Sequence, residues 1–328
     1  MLPTVIQMTH KAPFDLYVAS CEKGGGIYQY RISEQEEPKL VGFTPMDRPM
    51  YMTVANERMY VLLRAPFENA ESGLISYDID AEGQLQNPTK ILSTKGEVAC
   101  HLTVDGKDVY AVNYISGSVI KMPDRLVTHT GKGVHAERQT SPHTHYVSPT
   151  PDGRYLCVTD LGTDKIFVYG KDLTLLSAVD IPSGHGPRHL AFHKDGIHVF
   201  CANELASTLS VLEYENGTLK LVDTVSALPK DFHGNSTSAA IRCVGNTVYV
   251  SNRGHDSVTV LDFSSGHVVF KKTISTHGRS PRDFLIHDGL VIAANELSHK
   301  VTLISLEKEH TVGTLEVPSP VCVTVKPL

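Results

Sequence analysis

Two short strings hold the most reactive side chains of this sequence, Gly186-Pro187-Arg188-His189 and Asn203-Glu204-Leu205. Between them an apolar run from Leu190 to Phe192, a Lys194-Asp195-Gly196 turn and a second apolar run from Val199 to Ala202 read as a β-hairpin. The first residue of one hairpin strand and the last of its partner share one end, so Arg188 and His189 fall beside Glu204. Arginine can grip an anion through two parallel N–H donors. A carboxylate in a partly desolvated mouth can take a proton from water, its ionised form favoured by arginine and opposed by burial. An ion pair that merely holds the hairpin is the plainer alternative.

Matching positions elsewhere carry related chemistry. Arg253 follows Ser251-Asn252 much as Glu204 follows Asn203, and two arginines converging on one opening would make an anion clamp. Arg282, Asp283 and Glu296 occupy equivalent places further on, where a charge network that only shapes a rim serves equally well. His143-Thr144-His145 sets two imidazoles at a spacing that shares one strand face, as in some zinc sites. No cysteine or carboxylate motif offers a further ligand at a recognisable spacing, so the expectation is a titratable histidine, no metal and no cofactor.

A scaffold must place these groups on one edge, and the sequence repeats one. Segments like the first hairpin strand begin near Pro49, Ala99, His143, Pro187, Ser238, Pro281 and Pro320, spaced by 39 to 51 residues. That period, filled with short β-rich runs and Gly/Asp turns, predicts an all-β, seven-bladed β-propeller with about four strands per blade. The second strands end on Asn113, Asp160, Asn203, Asn252 and Asn295. Such residues secure turns through side-chain hydrogen bonds. The residue after each varies, as Tyr114, Leu161, Glu204, Arg253 and Glu296, which is what a site built on a repeat would show. FDLYVAS and GIYQYRI lack a first strand and SPVCVTVKPL has nothing after it, so the ends of the chain are expected to share a blade. Residues 1–328 then read as one propeller domain, with 1–12 an unassigned leader. Turns such as Asp105-Gly106-Lys107 and Lys194-Asp195-Gly196 populate one face of the ring as ordinary solvated turns. His101, Asn113, Tyr114, His143, His145, Arg188, His189, Glu204, Arg253 and Arg282 crowd the other.

Composition removes several classes of function. Hydrophobic residues at 41% and charged residues at 20% suit a globular chain, and no apolar run approaches the ~20 residues of a membrane helix. The start MLPTVIQMTHKAPF lacks the pattern of a signal peptide, which makes the cytoplasm the expected location. Six scattered cysteines read as reduced core residues. A net charge of -6 without a basic block argues against nucleic acid. No Gly-rich phosphate loop, GxSxG or HExxH is present, and zero tryptophans exclude the WD signature.

The strings CHLTVDGK, NYISGSV, SPTPDGRYLCVTDLGTDKIFVY, GPRHLAFH, NEL, VSNRGHDSV and PRDF resemble the seven-bladed propeller lactonases. These are the cycloisomerase-type 6-phosphogluconolactonases, whose relatives include the fungal carboxymuconate lactonizing enzymes. The likeness runs from about Phe14 to the C-terminus, and GPRH followed by NEL is its most specific part. It implies an active site at the channel mouth built from Arg188, Glu204, Arg253 and a histidine of the His143–His145 segment, with His145 preferred and His101 a further candidate. The catalytic set is thus Glu204, His145, Arg188 and Arg253, with His101, His143, His189, Asn113, Tyr114 and Arg282 as substrate contacts. The implied reaction is hydrolysis of 6-phospho-D-glucono-1,5-lactone to 6-phosphogluconate in the pentose phosphate pathway, a carboxylic ester hydrolysis. Glu204 or a histidine would activate water while one arginine meets the oxyanion and another the phosphate. The loop from Arg64 to Gly73 departs from the pattern and is expected to narrow or cover the mouth. A phosphorylated sugar lactone is the expected partner, with no nucleic acid, no membrane and a monomer or weak dimer as the state. A lactonizing isomerase that protonates carbon, and a non-catalytic ligand- or protein-binding propeller, are the competing readings.

Overall fold

In the strand Phe14–Ser20 every residue is buried. Side chains alternate across a strand, so Leu16 and Val18 face one neighbouring sheet while Tyr17 and Ala19 face the other. The same double burial makes the second strand of each repeat a nearly continuous apolar run. The computed structural model describes residues 12–34 and 36–327, so all but Ala12 of the expected leader lies outside the described residues.

Among the described residues twenty-nine strands build seven antiparallel sheets, six of four strands and one of five. We number the blades from the N-terminus. Blade 1 contains Phe14–Ser20, Gly26–Ile32 and Lys39–Pro45, and its innermost strand is Pro320–Pro327, paired antiparallel to Phe14–Ser20. Both ends of the described chain therefore meet in one sheet, as the missing first strand had implied. The inner strands of blades 2 to 7 are Pro49–Ala55, Ala99–Asp105, Thr144–Pro149, Pro187–Phe192, Thr237–Val244 and Pro281–His287. Each begins within one residue of its predicted start. Blade 2 carries the fifth strand, because Leu85–Gln86 and Leu92–Glu97 both pair with Glu71–Ile79.

Seven apolar clusters fill the seven seams between neighbouring blades. In blades 3, 5, 6 and 7 the asparagine column locks the hairpin to its third strand. Asn113 donates to Ser118 Oγ, Asn203 to Ser210 Oγ, Asn252 to Thr259 Oγ1 and Asn295 to Thr302 Oγ1, at 2.9 to 3.0 Å. Among the described residues the single helical turn is Glu296–Ser298, and no helix is long and apolar enough to cross a membrane. The cysteines are free, with four buried as expected and Cys21 and Cys243 half-buried.

Candidate active site

One extra residue interrupts the pairing at the same height in all seven inner strands. The register slips by one between the first and second strands beside Met50, Cys100, His145, Arg188, Arg282 and Val321, and across Ala239–Ala240 in blade 6. Such a bulge leaves a residue without a cross-strand partner and re-aims it. Met50, Cys100, His145, Arg188, Arg282 and Val321 accordingly line one enclosed pocket of about 10 Å³ on the axis, room for roughly one water.

Glu204 is the hub above this pocket. Its backbone N–H donates to the Gly186 carbonyl at 2.7 Å, and Gly186 sits at φ +66, a left-handed conformation natural to glycine. Asp164 in turn receives the N–H groups of Gly184 and Gly186 at 2.7 Å each, which fixes the GHGPRH turn. The Glu204 carboxylate accepts from Arg188 Nε at 3.0 Å and Arg138 Nη2 at 2.6 Å, and it ion-pairs with Arg253, whose Nη2 lies 3.0 Å away. Burial works to raise its pKa, but Arg253, Arg188 and Arg138 hold it well below the usual carboxylate range. Arg188 is itself lowered to about 10 by burial and by Arg253. Arg282 joins from blade 7, 3.4 Å from Glu296.

The histidines sit against this hub. Burial first, and Arg188 next, hold His145 and His189 well below 6.5, so both rings are neutral near pH 7. His189 Nε2 accepts from Arg188 Nη1 at 3.2 Å. Two buried polar atoms lack a hydrogen-bond partner here, His145 Nδ1 and Arg253 Nε. A neutral imidazole with a free ring nitrogen can accept a proton, and an unpaired guanidinium N–H can donate to an anion. Four guanidinium groups (Arg138, Arg188, Arg253 and Arg282) face two carboxylates (Glu204 and Glu296), a surplus of two positive charges with the histidines neutral.

A family model described as "Lactonase, 7-bladed beta-propeller" matches residues 15–325. The chain belongs to the seven-bladed β-propeller lactonase family. A 6-phosphogluconolactonase of Bacillus subtilis strain 168 is 35% identical over 342 residues, covering 94% of this chain and 97% of its own. Among solved structures, a Lactobacillus plantarum protein (28% identical, TM-score 0.87) covers 96% of this chain and 100% of its own. The periplasmic gluconolactonase of Pseudomonas aeruginosa (26% identical, TM-score 0.87) covers 96% and 99%.

Within this propeller lactonase the candidate residues divide. Glu204, His145, Arg188, Arg253, Tyr114 and Arg282 gather at the mouth, where Tyr114 Oη accepts from Arg138 at 3.1 Å, and His189, one residue past its bulge, lines both the enclosed pocket and the cavity beneath it. His143 stacks on Tyr114 with ring centroids 4.5 Å apart and bonds the Tyr114 carbonyl at 2.9 Å, so it props that ring instead of facing the pocket. Asn113 is fully buried and its NH2 group donates to Thr94 O and Ser118 Oγ, which holds it in the sheet and corrects its expected contact with substrate. His101 is likewise corrected. The bulge puts Cys100 at pocket height and sends His101 one layer deeper, between Tyr51 at 4.4 Å and Tyr146 at 4.2 Å. The Cys100 thiol, pushed up to about 12 by burial, is no nucleophile.

Two features escaped the sequence reading. Arg138, from the loop between Arg125–Thr128 and Thr144–Pro149, crosses the mouth, whereas Arg64 stays at the rim beside Cys21. Only the length of that loop signalled anything. Below His189 the axial channel opens into a cavity of about 470 Å³ lined from all seven inner strands, with Arg242 paired to Asp283 at 2.7 Å. The ionisable groups are therefore not confined to one rim.

Proposed function

We propose that this lactonase hydrolyses 6-phospho-D-glucono-1,5-lactone to 6-phosphogluconate, and that residues 1–328 act as one catalytic propeller domain. The observation that carries the reading is the pairing of an unpartnered His145 Nδ1 with an unpartnered Arg253 Nε beside a cluster holding two surplus positive charges. A phosphate monoester carries nearly two negative charges at neutral pH, which matches that surplus. In this reading water attacks the lactone carbonyl, His145 Nδ1 takes its proton, and Arg253 and Arg188 receive the developing oxyanion. Glu204, saturated by three guanidinium groups, orients them and is a poor base. Arg138, the most exposed of the four arginines, leaves Glu204 to meet the phosphate. No covalent nucleophile is required, because a strained lactone needs only about 10² to 10⁴ of assistance from one base.

The named activity of the Bacillus subtilis relative supports the phosphorylated substrate, and that of the Pseudomonas aeruginosa relative supports the lactone chemistry. A phosphorylated sugar is retained inside cells, which favours the cytoplasm as the place of action. The test is acid release from the phosphorylated lactone, measured above the spontaneous rate, beside the unphosphorylated lactone. A kcat/KM at least about tenfold higher for the phosphorylated form is expected. Equal values would remove the phosphate assignment, and no release above background would remove the hydrolase reading in favour of an isomerase or a binding protein.

A further inference from the structure

The hairpin that carries Arg188 at one end carries a second constellation at the other. His193 and His198 flank the Lys194-Asp195-Gly196 turn of blade 5, about 16 Å along the strand from Arg188 at ~3.3 Å per residue. Asp195 Oδ1 accepts the N–H groups of Ile197 and His198 at 2.9 and 3.0 Å, which fixes the carboxylate. Its Oδ2 lies 2.9 Å from His193 Nδ1 and 2.6 Å from His198 Nδ1. His193 Nε2 sits 3.3 Å from Asn246 Oδ1 on the neighbouring blade, and the Asp195 N–H points at His193 Nδ1 from 3.4 Å. In the tautomer that donates from Nε2 to Asn246, the His193 Nδ1 is free to share a cation with the Asp195 carboxylate. Phe263 packs edge-on against His193 at 4.8 Å and against the His198 ring at 4.7 Å, which limits how far either can swing.

We infer that His193, Asp195 and His198 form a binding site for a divalent transition-metal ion, ligated through the two Nδ1 atoms and Asp195 Oδ2. The three ligand atoms lie within 4.8 Å of one another. Bonds of ~2.0 Å in a tetrahedral site separate donors by about 3.3 Å, so Asp195 Oδ2 has to withdraw by less than ~1 Å. Two imidazoles and one carboxylate select zinc, nickel, cobalt or iron(II) over calcium or magnesium, with the remaining positions open to water. Asn246 supplies the outer hydrogen bond that orients a ligating imidazole, and it ties blade 5 to blade 6 through the metal. The ion staples a turn and takes no part in lactone hydrolysis.

Chelator-treated protein titrated calorimetrically with zinc chloride is expected to take up one saturable equivalent and to melt at a higher temperature. His198→Gln and Asp195→Asn, both at exposed or half-exposed positions, are expected to weaken that uptake about tenfold or more. Lactone hydrolysis should be unchanged in both variants and in chelator. Absence of a saturable equivalent in the unaltered protein overturns the inference, as does full uptake by both variants. Should a variant fail to fold, cobalt(II) added to unaltered protein with labelled phenylalanine decides the matter. Paramagnetic broadening of the Phe263 ring supports the site, and an unaffected Phe263 signal sinks it.

Discussion

Glu204 is ion-paired with three guanidinium groups, and that saturation decides which neighbouring group is left to accept a proton. His145→Gln should lower kcat by about 10² to 10⁴ with little change in KM, measured by steady-state acid release. Arg138→Met should instead raise KM about tenfold or more, with stability nearly unchanged, because its guanidinium is half-exposed. Glu204→Ala leaves Arg188 buried without a counter-charge and should cost about 3–5 kcal/mol in denaturant unfolding. The histidines add a pH signature. Burial holds His101, His145 and His189 well below 6.5, so below that pH the unfolded chain binds protons that the folded chain refuses. Stability must then rise with pH and be lost on acidification through about 6.5. With three such groups the slope approaches about 4 kcal/mol per pH unit. Chemical unfolding between pH 7.5 and 5.5 checks this, with His145→Gln expected to lose about a third of the slope. Arg188, Glu204 and Arg253 were legible in the sequence because each stands at a strand end of a repeated hairpin. Arg138 was not, since no periodicity relates a loop residue to the carboxylate it reaches.

At the scale of the strand and turn, the hairpins could be read directly from apolar runs and Gly/Asp turns, but the bulges could not. A single inserted residue barely disturbs a two-residue alternation, yet it exchanges which of Cys100 and His101 faces the pocket. That is why His101 was expected at the mouth and stands a layer below it. Asn113 was misassigned for a related reason, because its place beside Tyr114 is shared by locking and binding residues alike. The Gly186 turn gives this scale its prediction. An added Cβ would meet Leu205 Cγ at 2.7 Å on a backbone at φ +66. Gly186→Ala should therefore destabilise by about 1–3 kcal/mol and also reduce kcat/KM, since the Gly186 carbonyl anchors Glu204. Melting and kinetics on the same sample separate the two effects.

For the molecule as a whole, the repeat period foretold the blade number, and the incomplete first and last repeats foretold how the ring closes. On the far face, expected to hold ordinary solvated turns, folding sets His193 and His198 around Asp195, a grouping that no spacing in the sequence announces. Ring closure depends on Pro320–Pro327, whose Val321 and Cys322 pack toward blade 2 and Val323 toward blade 7. Removing this strand opens both seams and exposes an unpaired sheet edge. A chain ending at Val317 is expected to lose its single cooperative melting transition, as followed by circular dichroism.

The recurring bulge has an evolutionary corollary. A residue that pairs with nothing across the sheet can be exchanged without disturbing the architecture, so the seven axial sockets behave as interchangeable fittings on a fixed frame. Descendants of this ring can acquire new specificities by refitting a few sockets while the seams between blades stay untouched.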